Sequence, residues 1–237
     1  MRYVLVIVFL VFSIALQAKR KDSTVRVEQR NIFKLNLPAL AFSAINVQYE
    51  RKVGDKTSVA LGFIKRFDKP VFNFIDRDDK SPIQDVSLST YAITPEVKYY
   101  FKDETFSGLY IGVYGRMRRN KIKYDYLFTG FNQIGAVELS YTENILQVGG
   151  ILGYQMRLIQ DVYLDFWFLG IGLGYSKIEG EGSPPLNSQI GLRFEDNLNG
   201  IYHRTFSQAV FDEKFEFYGE ATRATFRGIG VSLGIRF

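Results

Sequence analysis

The chain closes on Ile229-Gly230-Val231-Ser232-Leu233-Gly234-Ile235-Arg236-Phe237, in which large apolar residues and small or polar ones exchange places at every step. Successive side chains of an extended strand point to opposite faces, so Ile229, Val231, Leu233, Ile235 and Phe237 share one face. Gly230, Ser232, Gly234 and Arg236 share the other. At the edge of an open sheet such a strand, ending on an exposed Phe, would template aggregation. In a barrel the last strand pairs with the first and no edge remains.

Other segments repeat the pattern. Ile45, Val47 and Tyr49 alternate with Asn46, Gln48 and Glu50, and Val59, Leu61 and Phe63 alternate with Ser58, Ala60 and Gly62. Between them Val53-Gly54-Asp55-Lys56-Thr57 reads as a tight hairpin turn. Tyr91, Ile93, Pro95, Val97, Tyr99 and Phe101 stand opposite Thr94, Glu96 and Lys98; Leu109, Ile111, Val113 and Met117 stand opposite Tyr110, Gly112, Tyr114 and Arg116. Leu146, Val148, Leu152, Tyr154, Met156 and Leu158 oppose Gln147, Gln155 and Arg157, and Leu164, Phe166 and Phe168 oppose Asp165 and Trp167. A first strand is expected from Asn31 to Phe42, with Lys34 and Asn36 set between apolar neighbours.

Short turns at 53–57, 102–108 and 159–162 alternate strictly with longer polar stretches around 67–87, 118–143 and 176–222. Outer-membrane barrels have this asymmetry, with short periplasmic turns, longer extracellular loops and both termini on the periplasmic side. The expected fold class is therefore all-β, a transmembrane antiparallel up-and-down β-barrel of about eight strands. Ten are expected if Tyr202–Tyr218 forms a hairpin beyond the membrane. The segments around 108–126 and 163–178 exceed the roughly 9–11 residues that cross a bilayer and are expected to project past it.

Met1-Arg2-Tyr3 followed by an apolar run from Val4 to Leu16 and small residues to Ala18 reads as a secretory signal peptide over 1–18. The alternative, an uncleaved anchor, has too short an apolar run to span a bilayer. Residues 19–30 then form an N-terminal periplasmic segment and 31–237 the barrel. Removing 1–18 takes away Arg2 alone and leaves a formal charge of +4, too small an excess to argue for nucleic acid. The absence of Cys removes disulfides and thiolate chemistry together. The chain is 46% hydrophobic, yet its mean hydropathy is only −0.06. Alternating strands with one lipid-facing and one lumen-facing side produce that average.

The closing strand, with its terminal Phe237, resembles the C-terminal signal by which the barrel-assembly machinery recognises outer-membrane proteins. Tyr49-Glu50-Arg51 and Pro95-Glu96-Val97-Lys98-Tyr99-Tyr100, together with Gly230 to Phe237, resemble outer-membrane β-barrel families of unknown function of the Bacteroidota type. The resemblance implies a fold and a location in the bacterial outer membrane, in contact with its lipid.

With the apolar sets facing lipid, the lumen receives Glu50, Glu96, Lys98, Arg116, Arg157, Asp165 and Arg236. Their signs are mixed. Isolated buried charges are costly, so these residues are expected to pair as a structural network that plugs a barrel only wide enough for side chains. A polar track or paired-carboxylate site is the functional alternative.

No catalytic, metal or cofactor site is expected. The lone His203 stands near Ser207 and Asp212, but their spacing matches no motif, and a surface histidine is the plain reading. Asp76-Arg77-Asp78-Asp79 lacks the remaining ligands of a calcium loop. Gly170, Gly172 and Gly174 suit close packing in a strand better than a phosphate loop. The abundant aromatics, among them Tyr99, Tyr100, Phe101, Phe63 and Phe67, are expected to form girdles at the membrane interfaces. The sequence thus points to a monomeric, non-enzymatic protein with a plugged interior whose loops meet an unknown extracellular or envelope ligand. A narrow channel or lateral conduit for small or hydrophobic solutes is the second expectation.

Overall fold

The computed structural model describes residues 29–70, 83–130, 133–183, 207–210 and 215–237. Its strands are β1 (Asn31–Asn36), β2 (Ala44–Lys52), β3 (Thr57–Pro70), β4 (Ile83–Tyr100), β5 (Gly108–Gly130), β6 (Gln133–Ile159), β7 (Val162–Ser183), β8 (Ser207–Val210), β9 (Phe215–Phe226) and β10 (Gly230–Arg236). One short helix, α1 (Leu37–Ala41), separates β1 from β2.

Strands β1 to β7 are antiparallel neighbours in chain order, and β10 pairs with β1 on one edge and β7 on the other. These eight strands close a ring. Strand β9 runs on from β7's outer half, and β8 pairs with its outermost part, Phe215 to Tyr218. Because β9 and β10 follow one another along β7, they act as two halves of one wall position. Between them Gly228 takes φ 75°, a left-handed conformation that costs glycine little.

The ring is strongly staggered. Stepping across paired residues from Arg236 through Ile32, Glu50, Ala60, Glu96, Tyr114 and Gly149 arrives on β7 at Gly172. The same Arg236 donates its backbone N–H to Asp161, at the far end of β7. Such a stagger tilts the strands about the barrel axis. Neighbouring strands also approach closely: a Cβ on Gly172 would lie 2.2 Å from the Val148 carbonyl oxygen, so the close-packing reading of that glycine holds.

Two expectations about segments are corrected. The stretch 118–143 is a long hairpin rather than a loop, with β5 and β6 paired continuously out to Gly130 and Gln133. Likewise β3, β4, β7 and β9 carry ladder deep into the stretches expected as loops. The first strand stops at Asn36 instead of reaching Phe42. Pro38 has no N–H for the ladder, and the Asn36 side chain accepts from Ala39 N at 2.9 Å, capping α1 in place of further strand.

Burial is inverted relative to a water-soluble barrel. Lys34, Glu50, Glu96, Lys98 and Asp165 are buried, while Val113, Val148, Leu173 and Ile171 are each about 60% exposed on the outside. Residues 1–28 and 184–206, including His203, lie outside the described residues, as do 71–82 with Asp76–Asp79, and Asp212.

Candidate functional site: a layered, charge-filled lumen

The end of the barrel carrying the short turns is closed by an aromatic floor. The β4–β5 turn folds inward so that Phe106 is fully buried, 6.3 Å from the Tyr100 ring and 6.4 Å from the Tyr163 ring. Thr105 pins this turn to its neighbour by donating to Gly54 O at 2.9 Å. Tyr100 was expected in an outward girdle; it faces inward, because the even residues of β4 line the lumen while Tyr99 and Phe101 remain outside.

Above the floor lies a compact ion quartet. Lys34 of β1 and Lys98 of β4 each contact both Glu50 of β2 and Asp165 of β7. Lys98 Nζ lies 3.2 Å from Glu50 and 3.1 Å from Asp165, and sits 4.6 Å from the centre of the Tyr110 ring. Two ammonium groups face two carboxylates, so the layer is neutral. Its remaining oxygens are supplied too: Ser58 and Tyr100 donate to Glu50 Oε1, the latter at 2.6 Å, and Tyr110 donates to Asp165 Oδ1 at 2.7 Å. Lys34 also donates to Gln155 Oε1 at 2.9 Å. Charges taken out of water persist only when paired and hydrogen-bonded in this way.

A second layer joins Glu96 to Arg227 at 2.6 Å. The Arg227 guanidinium lies 5.1 Å from the Tyr114 ring and 5.3 Å from that of Trp167. Arg116 donates through Nε to Thr94 Oγ1 at 3.1 Å and lies over the other side of this cluster, 5.6 Å from Tyr114. Farther out, Glu143 accepts from Arg223 at 2.7 Å and from Asn120 at 3.1 Å, and Arg118 reaches Gln147 at 3.4 Å.

Of the residues read from sequence, Glu50, Glu96, Lys98, Arg116 and Asp165 thus come together in the lumen. Arg157 does not join them. It lies at the β6–β7 turn, where β6 slips register, and donates to Gln160 O on the exposed rim. Arg236 is at the mouth: it donates to Tyr163 OH at 2.9 Å and to Gln29 O at 2.8 Å, with its guanidinium 5.9 Å from the Phe106 ring. Phe237 closes the ladder by exchanging backbone hydrogen bonds with Asn31, its ring half exposed. Lys34 was missed although its place between Phe33 and Leu35 already put it on the face opposite two apolar residues. Arg118 and Glu143 fell in a stretch read as a loop, and Arg223 and Arg227 lie between the last such stretch and the closing strand, where no strand was expected.

On the outside of the turns, Lys56 and Asp103 pair at 2.7 Å. Their hydrogen bond and mutual attraction raise the Lys56 pKa and lower that of Asp103. Among the described residues there is no group of His, Asp and Glu able to hold a metal ion.

An antiparallel ring with an apolar exterior and a charge-paired interior defines an inside-out β-barrel. The chain belongs to the family described as protein of unknown function (DUF3575), whose model matches residues 4–185. No curated protein matches it. Among solved structures it is similar to Neisserial surface protein A (NspA), with 12% identity and a TM-score of 0.26 over 87% of this chain and 93% of that one.

Proposed function

We propose that this protein is an integral barrel of the bacterial outer membrane, non-enzymatic, with its lumen plugged and its outward extensions engaging an extracellular or envelope ligand. The observation that carries the membrane reading is the apolar band on the outer face. On β4 the band runs from Tyr99 to Tyr91, and on β5 it ends at Met117, beyond which the outward residues are Arg119, Lys121 and Lys123. At ~3.3 Å per residue the β4 span is about 27 Å along the strand. A tilt of about 40° reduces it to roughly 20 Å, close to the band of about 25 Å that crosses a membrane. An apolar surface encircling the molecule far exceeds the few hundred Å² that soluble monomers expose. Outer-membrane lipid is then the lasting partner and the barrel-assembly machinery a transient one.

The plug rests on the aromatic floor and the ion quartet, which leave the lower lumen filled. Single-channel recording in planar bilayers tests it: the wild type stays closed, and Lys34→Ala with Asp165→Ala, which keeps the charge balance but removes two buried side chains, shows conductance. Steady wild-type conductance would overturn the plug and favour a channel. A lateral conduit is the second reading, favoured by the early stop of β1 at Asn36, beyond which β2 has no strand partner on that edge among the described residues.

A further inference from the structure

The outer face of the wall changes character between one outward residue and the next. Across β3, β4 and β5 the paired row Phe63–Ile93–Met117 is apolar, and the next outward row is Lys65–Tyr91–Arg119, about 7 Å farther along the strands. The inner face changes at the same height in the opposite sense. Ile145, Ile178 and, farther out, Leu139 are buried there, while Arg119, Lys121 and Lys123 are exposed outside. A wall whose outer face turns from apolar to charged at one row has that row at the edge of the hydrocarbon, the level at which tyrosines gather.

Three cations gather on this edge without carboxylates beside them. In the ladder Arg119 lies between Tyr91 of β4 and Asn144 of β6, and Lys121 lies between Ser89 and Thr142. The diagonal neighbours on both strands are uncharged as well. Lys65 lies between Ile45 and Tyr91, and its Nζ donates to Ser89 Oγ at 3.5 Å, which turns it toward Lys121. Asp68, in the bulge that follows Lys65, forms no ion pair with any of the three among the described residues. Other outward cations are matched: Lys52 and Lys56 at the turns by Asp55 and Asp103, and Lys177 on β7 by Glu179 at 2.8 Å. Glu179 is influenced by Arg119 less than by Lys177. Like charges set side by side repel, so a cluster of this kind is stabilised by an anion.

We propose that Lys65, Arg119 and Lys121, with the hydroxyls of Tyr91 and Ser89, bind the phosphate-monoester head of a membrane lipid whose acyl chains lie over Phe63, Ile93 and Met117. Such a head carries about two negative charges at pH 7 and three acceptor oxygens, which suits one guanidinium fork and two ammonium groups. The place selects the occupant. An anion held here sits where the hydrocarbon ends, which is where lipid heads lie, and the apolar row directly beneath serves a ligand that carries a hydrocarbon part. The proposal rests on the membrane reading above and names a lipid class for the outer face. Glu179 of β7 and Glu220 of β9, near the same height on the far side of the wall, make a second copy the competing occupant.

The full chain, purified from membranes into dodecyl maltoside, is titrated with dioleoyl phosphatidic acid, with dioleoyl phosphatidylcholine and with inorganic phosphate, and native mass spectrometry reads the affinity for the first molecule bound. Phosphatidic acid should bind more tightly than either of the others, by a margin that shrinks as salt is raised. Arg119→Gln should weaken it by roughly fivefold, the effect of one cation near a charged surface. Adding Lys65→Gln and Lys121→Gln should bring it to the level of phosphatidylcholine. Lys102→Gln, a turn-end cation beside Asp103 and Glu104, should change it by less than about twofold. Phosphatidic acid binding equally to the triple variant, or no more tightly than phosphatidylcholine to the wild type, would overturn the site. Inorganic phosphate binding as tightly as phosphatidic acid would assign the cluster to a free anion and overturn the lipid. Dimers lost both in the triple variant and in Glu179→Gln with Glu220→Gln would give the surface to a second copy and overturn it too. Flotation with phosphatidylcholine vesicles separates the two readings: a wild type that inserts but shows no preference removes this proposal alone, whereas one that fails to insert removes the membrane reading and this proposal with it.

Discussion

Replacing Lys34 by Met tests whether the ion quartet holds the barrel together. In the wild type Glu50 and Asp165 each contact two ammonium groups, and all four residues are essentially inaccessible to solvent. Without Lys34, Lys98 alone faces two buried carboxylates and the layer carries an uncompensated negative charge. Breaking a buried pair by removing one partner costs about 3–5 kcal/mol. Adding Glu50→Gln restores neutrality: Lys98 keeps Asp165 at 3.1 Å, and an amide at position 50 can still accept from Ser58 or Tyr100. The double variant should therefore regain most of the loss and lie within about 2 kcal/mol of wild type, since exchanging a whole buried pair is often close to neutral. The assay is urea unfolding in phospholipid vesicles, followed by Trp167 emission and completed as a double-mutant cycle with Glu50→Gln alone. A loss below about 1 kcal/mol for Lys34→Met, or strictly additive losses in the cycle, would refute the account of the quartet as a coupled, self-neutral unit.

The membrane reading makes a prediction several-fold larger than that for a soluble barrel. Val113 is 63% exposed and lies between Val97 and Gly150 in the middle of the apolar band; Val113→Arg should cost about 2–4 kcal/mol in vesicles. A change within about 0.5 kcal/mol, as for an ordinary surface substitution in water, would count against lipid around this face. The exposed Lys56–Asp103 pair should act only at the extremes of pH. The Asp103 pKa is lowered in the folded state, so its contribution is present above the ordinary carboxylate range and is lost as pH falls through the lowered value; the Lys56 pKa is raised, so its share is present below the ordinary lysine range and is lost as pH rises through the raised value. Unfolding midpoints of wild type and Asp103→Asn should accordingly differ slightly at pH 7 and converge as pH falls through the lowered Asp103 value, with the difference shrinking in high salt; a difference that persists once Asp103 is protonated would contradict the assignment.

Where the chain runs through the apolar band, its fold was legible because period two then contrasts an apolar outer face with a polar lumen. That contrast gave the outward sets of β4 and β5 and placed Glu50, Glu96, Lys98, Arg116 and Asp165 inside. Beyond Met117 polar residues interrupt the apolar ones, so the strands that carry Arg118 and Glu143 were read as a loop although Leu139, Ile178 and Phe217 are buried on the inward face there. The stop of β1 was hidden for the opposite reason: Leu37 to Phe42 is as apolar as a strand would be, and only Pro38 marked the break. Arg157 and Arg236 had the right phase but stand at the ends of their strands, where a register shift and the barrel mouth take them out of the network.

The lumen's charges fall into two layers bridged by Glu96, which lies 2.6 Å from Arg227 and 3.9 Å from Lys98. In the quartet every ionised group is matched, so removing any single member leaves an uncompensated charge and loss of stability follows. Farther out, Arg116 and Arg118 make no carboxylate ion pair among the described residues and reach a hydroxyl and an amide. Neutralising them removes repulsion between neighbouring cations as well as the attraction of Glu96 and Glu143, so their loss should cost less stability than loss of a quartet member.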